Sequence, residues 1–203
     1  MPPADPVAYV EALVRLSDDE RRWLAGQFHE RTLERGGHVL REGERCRELV
    51  FVAEGVLRVY LLDDGDEQTA YFGTESQFVT DYESVLSGAP SAMNVDAVTD
   101  CRLAVLPAEA LAEAYGRLAE GERLGRLVAE RLFLAAHRRL VSFYLDSAEA
   151  RYRALVEEHP GLVQRVPQHT LASYLGVRPP SLSRIRARIA GRGPQTGGGS
   201  SPG

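Results

Sequence analysis

Between His159 and Gly203 the chain carries six arginines and no aspartate or glutamate, although its formal net charge is −5. Residues 1–158 therefore hold about −11, so a cationic end is joined to an acidic body. The chemistry that suits such an end is phosphate recognition, because attraction to phosphates supplies most of the sequence-independent free energy of nucleic-acid binding. Within it, Leu182, Ile185 and Ile189 recur at helical spacing and form an inward face. Ser181, Arg184 and Arg188 fall on the opposite face, Arg178 just precedes the helix, and Arg186 lies to one side. Arg184 is the expected base contact, since a guanidinium can bond guanine through two hydrogen bonds. Gln168, His169, Arg178, Ser181, Arg186 and Arg188 are expected to touch phosphates, which position a protein without reading sequence. A solvated basic helix closing a small bundle would share the charge, but not the agreement of turn, apolar spacing and arginine spacing.

Two short helices around a tight turn would hold these groups. Pro167 suits a first helical turn, where a missing N–H has no intrahelical partner to lose. Leu171, Ala172 and Leu175 supply a buried face, Gly176 suits the left-handed position that ends a helix, and Val177 plugs the turn into the core. Pro179 and Pro180 can open the second helix, whose outer N-terminal face would enter a major groove. Residues 191–203 lack apolar side chains and are expected to be disordered.

Upstream, residues 5–29 read as helical, with Ser17 as cap ahead of Asp18, Asp19 and Glu20, and with Trp23, Leu24 and Phe28 on one face. Between Arg31 and Leu106 the pattern changes to short apolar runs at 49–53, 56–62, 70–72, 95–98 and 103–106, separated by Gly, Asp, Pro and Ser clusters. That spacing predicts a sandwich or barrel of short strands, and Asp64-Gly65 predicts a hairpin turn. Pro107 opens a helical stretch broken near 116–120. Residues 122–145 then predict a long helix with two stripes. Leu124, Val128, Leu132, Ala135 and Arg139 form one; Leu127, Leu134, Val141 and Leu145 form the other. Residues 132–136 are apolar all round and need cover on more than one side, which a twin helix provides. Ser147 caps a further helix that ends at His159-Pro160-Gly161.

The segment Val166-Pro-Gln-His-Thr-Leu-Ala-Ser-Tyr-Leu-Gly-Val-Arg-Pro-Pro-Ser-Leu-Ser-Arg-Ile-Arg-Ala-Arg-Ile189 resembles the DNA-binding helices of the Crp/Fnr (catabolite activator) transcription regulators. Gly37-His-Val-Leu40-Arg-Glu-Gly43 and Leu49-Val-Phe-Val-Ala-Glu-Gly55-Val-Leu-Arg-Val-Tyr60 are similar to the start of their cyclic-nucleotide-binding-type jelly roll. The long helix resembles their dimerisation helix, and the order of parts agrees from about residue 10 to 190. The resemblance implies an α+β chain: a double-stranded β-helix (jelly-roll) sensor domain over 1–118, a dimerisation helix over 119–145, a small helix-turn-helix domain over 146–192 and a disordered tail over 193–203. It further implies a cytoplasmic homodimer that reads double-stranded DNA at two half-sites roughly 34 Å apart.

In cyclic-nucleotide-binding members, a Gly-Glu pair holds the ribose and an Arg-Ser/Thr-Ala run holds the phosphate. Here Tyr82-Glu83 and Pro90-Ser91-Ala92 stand at the corresponding places. Glu83, Ser91 and Ala92 match, Tyr82 replaces the glycine, and Pro90 replaces the arginine that makes the bidentate phosphate contact. A response to cyclic AMP is therefore not expected; another small effector in the barrel, or none, stays open. The second helix also departs from the pattern. Arg178-Pro179-Pro180 stands where a Ser or Thr cap and a polar base-reading pair are usual, and the lost cap costs about 1 kcal/mol. The β-hairpin wing that usually follows has no counterpart in the sequence.

Enzymatic chemistry has no support here. No Ser/His/Asp, Cys/His or phosphate-loop motif occurs, and no metal-ligand spacing relates His29, His38, His137, His159 and His169. No cofactor is implied, since residues 1–30 hold no cysteine for an iron–sulfur cluster, and Cys46 and Cys101 stand alone. No apolar run approaches the roughly 20 residues a membrane span needs. The expected function is a dimeric transcriptional regulator. The alternative is an effector-sensing or scaffold protein of the same fold that has lost specific operator binding.

Overall fold

One strand apolar on both faces, beside a neighbour that alternates, sorts the first half of the chain into two packed sheets. The structure, a computed structural model, describes residues 5–191. Strands β1 (His29–Leu33), β8 (Cys101–Pro107), β3 (Glu48–Glu54) and β6 (Phe78–Val79) form one antiparallel sheet in that order. Strands β2 (His38–Leu40), β7 (Asn94–Ala97), β4 (Leu57–Asp63) and β5 (Asp66–Gly73) form the second. Residues 49–52 of β3 are all buried. Val50 and Val52 face the second sheet, while Leu49 packs on α4 (Ala108–Arg117) and Phe51 meets Tyr9 of α1 (Pro6–Glu11). A strand covered on both faces reads as a continuous apolar run, which is what the sequence shows.

In β4, Leu57 and Val59 enter the barrel core and Arg58 and Tyr60 turn outward. Arg58 is nevertheless buried. It bonds Asp96 twice (3.0 and 2.6 Å) and Glu67 once (2.5 Å), and lies 4.0 Å from the Tyr60 ring centre. A guanidinium stays under cover when acceptors replace its water, and here two carboxylates do so. The hairpin at Asp64-Gly65 is as expected: both residues have positive φ (49° and 88°), and Asp63 pairs with Asp66.

The helical stretch predicted over 5–29 is two helices, α1 and α2 (Asp18–Ala25). Ser17 caps α2, reciprocated by Glu20, while Phe28 lies beyond the helix and His29 already opens β1. After α4 the chain turns into α5 (Gly121–Leu145), of 25 residues. A Cβ at Gly121 would lie 2.2 Å from the Tyr115 carbonyl oxygen, so only glycine lets α5 start this close to α4. Leu124, Leu127 and Val128 pack on α1, α2 and α4, whereas residues 129–138 are all exposed.

Ser147 caps α6 (Ala148–Glu158), accepting the Ala150 amide. Then follow α7 (Leu162–Arg165), which the sequence pattern does not reveal, α8 (Gln168–Tyr174) and α9 (Pro179–Gly191). Pro167 occupies the cap position of α8 and not its first turn. Tyr152, Leu155, Leu162, Leu171, Leu175, Leu182 and Ile185 form the core of this unit, and Val56 and Val98 of the barrel belong to the same cluster. Residues 192–203, where a disordered tail and the absence of a wing are expected, lie outside the described residues. No described helix is long and apolar enough to cross a membrane.

Candidate nucleic-acid interface and sensor cassette

The turn between α8 and α9 is built as its residues require. Gly176 takes φ +67°, the Val177 amide returns to the Ala172 carbonyl (3.0 Å), and the half-buried Val177 packs on the shared core. At the start of α9, Arg178 stands in the place of the usual Ser or Thr cap. The Arg178 carbonyl accepts from the Ser181 amide (2.9 Å) and the Leu182 amide (3.3 Å). Pro179 and Pro180 sit where no intrahelical donor is needed. Leu182 and Ile185 are buried and Ile189 packs beside them, which directs the other side of α9 to solvent.

On that outer side, Arg178 and Arg184 are exposed and Ser181 is half-buried. Arg184 folds back along its own helix, with Nη2 3.2 Å from Ser181 Oγ and Nε 3.4 Å from the Pro180 carbonyl. Gln168 and His169 are exposed at the start of α8, and Gln168 Nε2 donates to Ser183 Oγ (2.5 Å). Ser183, absent from the expected set, thus ties the two helices together. Arg186 is half-buried, 5.6 Å from the Tyr152 ring centre, and Arg188 pairs with Glu149 of α6 (3.2 Å). The structure therefore gathers Gln168, His169, Arg178, Ser181 and Arg184 at one end of the helix pair, and ties Arg186 and Arg188 to α6.

In the barrel the cassette residues are divided between the surface and the interior. Glu83 is exposed, and Tyr82 packs outside the barrel against the Leu49, Leu106, Ala110 and Leu111 cluster, its hydroxyl 3.2 Å from that of Tyr115. The buried acid is Asp81. It caps α3 (Tyr82–Ser87), a helix the pattern does not reveal, by accepting the Ser84 amide (3.2 Å). Its second oxygen accepts from the buried Ser91 hydroxyl (2.5 Å), which itself accepts from the Met93 amide (2.9 Å). Ala92 is exposed. Tyr71 lies nearby, its hydroxyl donating to the Thr80 carbonyl (3.2 Å) and pushed up to about 12 mainly by burial. Tyr71 as a whole is 37% exposed. Ser91, the one cassette residue that is buried, is thus bonded to Asp81, the helix cap that precedes the cassette.

The long helix supplies a third feature. Phe133, Leu140 and Tyr144 are 68%, 56% and 81% exposed, and with His137 they follow one another at intervals of four, three and four residues. That is the spacing of a coiled-coil seam. Neither predicted stripe contains them: Leu124 and Val128 of the first face the protein's own core and Arg139 contacts Tyr174 of α8, while Leu132 of the first and Leu134, Val141 and Leu145 of the second are exposed on the same helix.

Residues 30–117 match the family model of the cyclic nucleotide-binding domain. No curated protein matches the sequence. Among solved structures, FixK2 from Bradyrhizobium japonicum is 19% identical, with a TM-score of 0.71 over 85% of this chain and 89% of that one. CLP, the c-di-GMP-responsive global regulator of Xanthomonas campestris, is 18% identical, with a TM-score of 0.63 over 85% and 90%. The catabolite activator protein of Thermus thermophilus is 24% identical, with a TM-score of 0.54 over 91% and 88%. The barrel therefore carries a cyclic nucleotide-binding-type domain, and over most of its length the chain is similar in fold to these structures of Crp/Fnr-type regulators.

Proposed function

We propose that the chain is a homodimeric, DNA-binding transcriptional regulator of the Crp/Fnr type that does not respond to cyclic AMP. The observation that carries this reading is the acid-free outer side of α8 and α9, with Arg178, Ser181 and Arg184 directed to solvent on a helix pair whose opposite side is fully packed. In this reading residues 1–118 are the sensor, 119–145 the dimer helix and 146–192 the DNA-binding part. Arg184 leaves Ser181 to contact a base, while Gln168, His169 and Arg178 meet phosphates. Arg186 and Arg188 add positive field from beside the contact. The seam of Phe133, His137, Leu140 and Tyr144 supports pairing of two α5 helices, because an apolar stripe of this length is rarely left to water. The Asp81–Ser91 bond and the arginine-free cassette support the lack of a cyclic AMP response: the Ser91 hydroxyl is already committed to a carboxylate, and residues 82–92 supply no arginine for a phosphodiester.

A second reading, a sensor or scaffold of this fold without specific operator binding, is favoured by the engagement of Arg186 with Tyr152 and of Arg188 with Glu149. Titration against genomic DNA fragments decides between them. The regulator retains a selected set of fragments in a salt-sensitive manner; uniform or absent retention overturns it.

A further inference from the structure

Barrel, long helix and helix pair meet at the C-terminal end of α8. A helix end leaves carbonyls without intrahelical partners, and cations satisfy them well. Here two arginines from two other helices do so. Arg139 of α5 donates to the Tyr174 carbonyl, and its guanidinium carbon lies 3.7 Å from the Tyr174 ring centre and 4.3 Å from that of Phe143. Arg151 of α6 reaches the Leu175 carbonyl with Nε (3.2 Å) and Nη2 (2.8 Å). Its Nη1 reaches the Ser142 carbonyl (3.3 Å) and the Asp146 carbonyl (2.6 Å), so one guanidinium spans the ends of α5 and α8. Phe143 fills the remaining space so closely that a Cβ at Gly176 would lie 2.8 Å from its ring. On the other flank the Tyr174 ring meets Phe72 of β5 at 5.2 Å between centroids, tilted by 47°. Ser173 Oγ accepts the Thr69 amide (2.8 Å) and donates to the Glu67 carbonyl (2.6 Å).

The geometry points to Arg139 and Arg151 as positioning residues that fix the angle between α5 and α9, and so set the half-site spacing that a dimer of this chain accepts on DNA. This rests on the dimeric DNA-binding reading above. The joint they hold is the last turn before α9, and the opposite side of the same stretch of α5 carries His137 and Leu140 of the unpartnered seam. Helix α9 has 13 residues, about 20 Å at 1.5 Å per residue. A tilt of about 10° at its base displaces groups along it by up to about 3.5 Å, the rise of one base-pair step. Burial lowers the Arg139 pKa, first through lost hydration, so the fold keeps this charge in place against a penalty.

The test is selection of random-sequence duplexes by the full-length chain, followed by measurement of the distance between paired half-sites in the enriched pool. The wild-type pool holds one spacing. The Arg139→Met and Arg151→Met pools spread over about two or three neighbouring spacings while the variants dimerise as the wild type does. Tyr174→Phe leaves the pool unchanged, because the bond goes to a main-chain carbonyl and the ring is retained. Arg139→Lys keeps a donor but loses the planar stacking group, and covers the case in which the methionine variants do not fold. A broadened lysine pool supports the assignment and a wild-type one overturns it. A single unchanged spacing in the methionine variants overturns it alone. A wild-type chain that enriches no paired half-sites removes the DNA-binding reading and this assignment with it.

Discussion

Leu140→Asp isolates the dimer seam from the rest of the fold. Leu140 is 56% exposed and belongs to none of the four buried clusters, so its exposed part is available only to a partner. Burying a whole leucine side chain is worth roughly 2 kcal/mol, which makes the exposed share about 1 kcal/mol per copy and about 2 kcal/mol per dimer. The substitution removes that share and sets a carboxylate close to its symmetry mate, a repulsion that adds to the loss. At 1.4 kcal/mol per tenfold change, the dimer dissociation constant rises by at least about 30-fold. Sedimentation equilibrium across a concentration series measures it, and thermal melting of the dilute variant monitors the monomer. An unchanged dissociation constant refutes the seam. A monomer that melts lower places Leu140 inside the fold and refutes the area argument.

Arg184→Ala weakens DNA binding by about 1–3 kcal/mol and relaxes selectivity at one position per half-site, read by competition among singly substituted duplexes; equal selectivity removes Arg184 from base readout. Gly176→Ala forces a side chain into the left-handed region at φ +67° and against Phe143. Its denaturation midpoint falls by more than the about 1–2 kcal/mol that backbone strain alone costs, and a midpoint equal to that of the wild type contradicts the close approach. Calorimetric titration with cyclic AMP registers no saturable heat, since Asp81 is committed to Ser91; binding in the micromolar range shows that the bond opens.

Local chemistry carried the sequence reading as far as local chemistry determines structure. The turn at Asp64-Gly65, the caps at Ser17 and Ser147 and the left-handed Gly176 each depend on a few neighbouring residues, and each lies where the pattern puts it. Strands β3, β4, β5, β7 and β8 were legible from apolar runs that one or two covered faces impose, whereas β1, with no buried residue, and the short β2 and β6 carry no such run. Helix α3 was not legible. Glu83 sits at the position the resemblance favours and lies exposed on α3, whose cap residue Asp81 turns inward; a helix of six residues leaves little periodicity to find. Arg186, Arg188 and Arg139 stand at plausible helical positions, yet their partners Tyr152, Glu149 and Tyr174 are brought up by the packing of other helices. Pairings of that kind are properties of the tertiary fold and leave no trace in spacing.

The cluster that joins Val56 and Val98 of the barrel to Leu171, Leu175 and Leu182 makes the two halves of the chain a poor pair of separable parts. A chain cut after residue 146 would open Val56, Val98 and Phe72 to water and strip β5 of the side chain that covers its main-chain groups at Glu67 and Thr69. Such a fragment presents an unshielded sheet edge beside an apolar patch, the combination from which strand-to-strand aggregation starts.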